Sequence, residues 1–130
     1  MKLSDVVLQA TVPLIPLGQC QLVWSTLSAG AMTISNKQIC AGSKLHGTAP
    51  GDSGGPLVVY DNTGRLVQVG ITSFGAGGLA GILDQDTYPG VYTRVASYST
   101  WIENVVMNAV DTVQVQSFAI IFICIIILEP

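Results

Sequence analysis

The apolar residues of this chain fall in short, β-branched-rich runs separated by Gly, Pro and Asp/Asn turn signals. Residues 5–12 suit a strand, which Pro13 and Pro16 break. Residues 17–30 are mixed. A second strand is expected over 34–41 and a third over 57–60. Between these two, residues 42–55 hold Gly, Ser, Thr and Pro and read as a loop. Asp61-Asn62-Thr63-Gly64 is a strong turn signal, so 66–74 should return antiparallel to the third strand. Residues 75–87 read as a long glycine-rich loop, and 90–95 as the last strand. The period then changes. Tyr98, Trp101, Ile102 and Val105 recur at helical spacing, which predicts a helix over 97–107 packed on the strands. No internal repeat is present.

Length and charge narrow the functional classes. The 130 residues allow one domain at most. Only 10% are charged, the net charge is −3, and no Lys/Arg run occurs, so nucleic-acid binding has no support. Asp84 and Asp86 make a slightly acidic loop, read as solvated surface. The Met1-Lys2-Leu3 start lacks the apolar stretch of a signal peptide. One histidine and three separated cysteines form no zinc pattern, so neither a metal nor a cofactor is expected. Phe118 to Leu128 are eleven apolar residues in a row. A helix needs ~20 to cross a bilayer, so no membrane association is expected.

The chemistry centres on Gly51-Asp52-Ser53-Gly54-Gly55-Pro56, ahead of Leu57-Val58-Val59. A serine flanked by glycines on a tight turn exposes a hydroxyl nucleophile and lets a substrate backbone approach closely. The backbone N–H groups of Gly51 and Ser53 can then form an oxyanion hole. For a bare Gly-x-Ser-x-Gly, the plainer reading is a turn residue ahead of a strand.

The six-residue string is more specific, and it resembles the nucleophile loop of the chymotrypsin/trypsin-like serine proteases. Three further blocks carry the resemblance in the same order. They are Thr33-Ile34-Ser35-Asn36-Lys37-Gln38-Ile39-Cys40-Ala41-Gly42, Val69-Gly70-Ile71-Thr72-Ser73-Phe74-Gly75, and Pro89-Gly90-Val91-Tyr92-Thr93-Arg94-Val95 with Tyr98 and Trp101-Ile102. The resemblance covers roughly residues 3–108. It implies an all-β fold: an antiparallel Greek-key β-barrel, the second of the family's two, incomplete at its opening, with a C-terminal α-helix. A short helix is then expected near 17–30, with Leu22-Val23-Trp24 supplying its buried face. The expected organisation is a partial protease domain over 1–108 and a non-family tail over 109–130. That tail reads as aberrant sequence, and its Ile-rich composition makes it an aggregation hazard if exposed.

The resemblance also implies a function, serine-type endopeptidase, with Ser53 as nucleophile and Gly51 in the oxyanion hole. Its substrates would be proteins or peptides, and its compartment extracellular. The family's catalytic His and Asp come from the first barrel, so the expected partner is that missing barrel. His46, the only histidine, reads as an exposed loop residue. Asp52 resembles the aspartate that pairs with a freed N-terminal amine. No such amine is expected here, so the loop should be loose. Gly47, Gly75 and Gly90 match pocket positions and suggest an open, uncharged pocket for aromatic or large apolar side chains. Ser73, Phe74 and Gly75 would pair with an extended substrate, and Phe74 stands where Trp is usual. Cys20 and Cys40 match a family disulfide, with Cys124 outside it. A second family bridge is lost: Ala49 stands at one position, and 76–88 contain no cysteine. The alternative is a non-catalytic homologue that binds proteins without cutting them.

Overall fold

The computed structural model describes residues 6–110 and 125–128. Its strands are β1 (Gln9–Val12), β2 (Leu14–Ile15), β3 (Gln38–Ala41), β4 (Pro56–Tyr60), β5 (Leu66–Phe74), β6 (Gly90–Arg94) and β7 (Ile125–Leu128). The helices are α1 (Leu17–Leu27), α2 (Gly78–Leu83) and α3 (Ser99–Val110). All the strands belong to one sheet in the order β1-β7-β4-β5-β6-β3-β2. The two ends of that order, β1 and β2, are consecutive in the chain and separated only by Pro13. The sheet therefore curls back on itself, as the incomplete barrel of the sequence reading requires.

The pairings β2–β3, β3–β6, β4–β5 and β5–β6 are antiparallel. β7 departs from this rule, running parallel to both β1 and β4. The end of the expected aberrant tail is thus a strand inside the sheet, and α3 runs past the expected boundary at 108. The rest of the apolar run, with Cys124, lies outside the described residues, as does residue 5 of the first strand expected over 5–12.

Strand alternation sorts two cores. Val12, Ile39, Ala41, Leu57 and Tyr92 fill the inside of the curled sheet. Cys40 and Val91 point the other way and pack with Ile15, Cys20, Trp24 and Ile34 beneath α1. β3 and β6 are therefore buried on both faces. The Cys20–Cys40 disulfide is present and ties α1 to β3, with Cα atoms 6.3 Å apart. Leu22 is exposed, so α1 uses Cys20 and Trp24, one turn apart, as its buried face and not Leu22-Val23-Trp24.

Three other expectations are corrected. The strand expected over 34–41 begins at Gln38, because residues 35–38 make a turn in which Gln38 Oε1 accepts the Ser35 N–H and hydroxyl. The loop over 75–87 contains α2, which brings Gly81 against Ala76; a Cβ at Gly81 would collide with the Ala76 carbonyl. The helix over 97–107 becomes a 3₁₀ turn, Val95–Tyr98, followed by α3. Its apolar residues are only partly covered: Trp101 is 66% exposed and Val105 48%, against 36% for Ile102. The 3₁₀ turn carries α3 off the end of β6, and that turn is its main neighbour.

The β4–β5 hairpin closes as expected over residues 61–64. Asp61 Oδ1 accepts the Thr63 hydroxyl at 2.6 Å and the N–H groups of Thr63 and Arg65. The Arg65 guanidinium reaches Oδ2 at 2.9 Å. The Thr63 hydroxyl is the leading cause that lowers the Asp61 pKa from 3.8 to about 2, followed by the Arg65 N–H. A depressed folded-state pKa stabilises the turn above the unfolded value, and that contribution is lost as pH falls through about 2. An NMR titration should find the Asp61 carboxyl changing near pH 2, and Thr63→Val should move it back towards 3.8. A wild-type midpoint near 3.8 would show that the turn does not hold the ionised carboxylate.

Candidate functional site

Ser53 sits on the loop that feeds β4, and Thr72 of β5 holds that loop just after Ser53 by a reciprocal pair of hydrogen bonds. The Gly54 N–H donates to the Thr72 carbonyl at 2.9 Å, and the Thr72 N–H donates to the Gly55 carbonyl at 2.8 Å. Gly51 and Gly54 have φ of +109° and +82°, which side-chain-bearing residues rarely adopt, so the turn on either side of Ser53 depends on glycine. Asp52 closes the loop locally. Its N–H donates to the Ala49 carbonyl, and its Oδ2 accepts the Ala49 N–H at 2.8 Å. The half-buried carboxylate thus has a hydrogen-bond partner, against the expectation of an unpaired group in a loose loop. Among the described residues, no acceptor takes the N–H of Gly51 or of Ser53. Both donors lie beside the Ser53 hydroxyl in the chain and are uncommitted.

Ser53 borders a cavity of about 180 Å³, lined also by Thr48, Thr72, Phe74, Ile82 and Gln85. Ser73 and Gly75 line it too. Ser73 is the extra residue of a bulge: Thr72 pairs with Tyr92 and Phe74 with Val91, which leaves Ser73 outside the β5–β6 ladder. The bulge ends regular pairing at the cavity and frees the backbone there. Phe74 lines the cavity and packs on α1. Its ring meets Trp24 edge-on, with centroids 4.9 Å apart and planes at 83°. Trp24 Nε1–H in turn donates to the Pro89 carbonyl. The cavity wall is therefore braced from behind by α1.

The structure gathers Ser53, Ser73, Phe74 and Gly75 around one space. Gly47 and Gly90 are not on its wall. The side chain of Gln85 lies over both: a Cβ at Gly47 would overlap its carboxamide, and one at Gly90 would sit 3.1 Å from Oε1. Gln85 is 2% exposed. Its Oε1 accepts the Thr48 N–H at 3.0 Å, and its Nε2 donates to the Thr48 carbonyl. Sequence reasoning missed Gln85, because a lone Gln in a glycine-rich loop carries no motif. The available signal was Gly47 and Gly90 themselves, since two positions without side chains leave room for one reaching in from elsewhere. His46 takes no part in this arrangement. Its ring is exposed, and Nδ1 lies 3.2 Å from the Lys44 carbonyl oxygen.

Comparison with known proteins gives a consistent result. Residues 1–102 match the protein family described as Trypsin. The chain is 36% identical over 107 residues to Clotting factor G beta subunit of Tachypleus tridentatus, an alignment covering 78% of this chain and 33% of that protein. It is 41% identical over 104 residues to Trypsin 5G1 of Aedes aegypti, covering 78% of this chain and 34% of that one. It is also 41% identical over 80 residues to human Tissue-type plasminogen activator, covering 55% of this chain and 13% of that one. The chain spans about a third of the length of the first two relatives.

Proposed function

Because the chain belongs to the chymotrypsin/trypsin-like serine protease family, we propose that it carries the nucleophile half of a serine endopeptidase. In this reading the Ser53 hydroxyl attacks the scissile carbonyl and passes its proton to a general base. The Gly51 and Ser53 N–H groups take the charge that develops on the carbonyl oxygen. The acyl-enzyme then forms as the amine leaves, and water releases it. The cavity beside Ser53 receives the side chain before the cut bond. The bulged backbone from Ser73 to Gly75 aligns the extended substrate. The observation that carries the reading is the pinned loop: Ser53 stands at the cavity, beside two uncommitted N–H groups, with the next two residues, Gly54 and Gly55, hydrogen-bonded to Thr72 of β5.

The base is not among these residues, so the partner is a first barrel bearing His and Asp. The exposed apolar side chains of α3, with Trp101 foremost, agree with further protein packing on this unit. The Cys20–Cys40 bridge supports an oxidising, extracellular compartment. The rival reading is a non-catalytic homologue that binds proteins without cutting them, which the position of His46 does not separate from the first.

The test joins the chain to everything that precedes the matching region in a relative such as Trypsin 5G1, releases the new N-terminus, and assays peptide hydrolysis. Ser53-dependent hydrolysis is expected, absent in Ser53→Ala. A folded chimera that binds peptides without cutting them would favour the protein-binding reading.

A further inference from the structure

We propose that Gln85 and Thr72 make the cavity beside Ser53 select an uncharged aromatic side chain with a hydroxyl at its tip, a phenol, over a purely apolar one. This rests on the reading that the cavity receives a substrate side chain. Gln85 fixes the floor. A carboxamide offers two N–H donors and two acceptor lone pairs. The Thr48 backbone uses one of each and sets which end of the amide faces which way. One donor and one acceptor remain on a group that is 2% exposed and lines the cavity.

Thr72 provides a second, independent observation. It is 7% exposed, lines the same cavity, and its hydroxyl has no hydrogen-bond partner among the described residues. Buried polar groups ordinarily find partners. An unpartnered hydroxyl, beside a carboxamide that has a further donor and acceptor to offer, points to a ligand that brings its own hydrogen-bonding atom. The remaining chemistry sets the ligand's class. Phe74, Gly75 and Ile82 give apolar walls that suit a ring, and no charged residue is among those lining the cavity. A cationic tip therefore finds no countercharge there. A methyl or phenyl tip leaves the Thr72 hydroxyl unpaired and the second donor and acceptor of the Gln85 amide unused. A phenol can donate to one and accept from the other.

The experiment uses the full 130-residue chain and two probes, p-cresol and toluene. Both are titrated while the amide resonances of Ser53, Thr72 and Gly75 are followed by NMR. The expected result is p-cresol binding about tenfold tighter than toluene, with benzamidine weaker than p-cresol. Gln85→Met and Thr72→Val keep size while removing hydrogen-bonding atoms, and each should cut the preference towards parity. The comparison in the unmodified chain decides the matter if either variant fails to fold. Equal binding of the two probes at these amides would overturn the selectivity and leave the substrate-cavity reading standing. Failure of every probe to move these amides would overturn both.

Discussion

Purified alone, the 130-residue chain is expected to hydrolyse peptide esters and amides no faster than its Ser53→Ala variant. A serine hydroxyl is a weak nucleophile until a base takes its proton. The two groups that stand nearest in sequence are committed elsewhere: Asp52 Oδ2 to the Ala49 N–H, and the His46 ring to the Lys44 carbonyl. In intact enzymes, losing one triad member leaves a residual acceleration of roughly 10³–10⁴-fold over water, from the oxyanion hole and binding. The Gly51 and Ser53 donors and the cavity preserve the parts that supply that residue, but half the cleft that grips a substrate is absent. The loss against a complete triad should therefore be on the order of 10⁶-fold. A fluorophosphonate probe should likewise fail to label Ser53 above the Ser53→Ala control. Clear Ser53-dependent labelling or turnover would reveal a base within the chain, with His46 the first suspect.

Replacing Cys20 and Cys40 together by alanine should cost about 3 kcal/mol, the loop-closure value for a bridge of this span. Both cysteines are almost wholly buried, at 0% and 2% exposure. They share a core with Trp24, Ile34 and Val91, so the bridge is the covalent part of the contact between α1 and β3. The effect should also reach the cavity. Trp24 rides on α1 and braces Phe74, and Phe74 lines the cavity. Urea unfolding with and without the substitutions measures the cost, and NMR of the Phe74 ring reports the loosening. A change below about 1 kcal/mol would show that core packing alone holds α1 in place.

Local chemistry was legible in the sequence; geometry made by distant partners was not. The Gly51–Pro56 string announced the turn that carries Ser53 because two of its glycines, Gly51 and Gly54, stand where φ is positive. The hairpin at Asp61–Gly64 could be read because its hydrogen bonds are made within the turn itself. α1 was placed, but its face was misread: Leu22 and Trp24 are equally apolar, and only the position of Cys40 decides that Cys20 and Trp24 go inward. α2 was missed because Gly77, Gly78 and Gly81 argue against a helix locally. The structure needs Gly81 there, since nothing larger fits against Ala76. The cavity shows the same limit. Position 47 looked like an open pocket wall because it has no side chain, while a glutamine from a distant loop fills that space. The apolar face of α3 was visible in its spacing, but its exposure was not.

The parallel seating of β7 between β1 and β4 has a consequence for the chain as it is made. Gln9 pairs with Ile125, so a neighbour of the first strand emerges from the ribosome about 116 residues after it. At ~5–20 residues per second, β1 waits on the order of ten seconds for it. Throughout that interval, β1 and β4 each carry a row of unpaired backbone N–H and C=O groups facing the gap that β7 will fill. Nascent-chain crosslinking should therefore find chaperones on β1 and β4 until Ile125–Leu128 clear the exit tunnel. Folding of this sheet therefore depends on keeping the edges of β1 and β4 from other partners until β7 arrives.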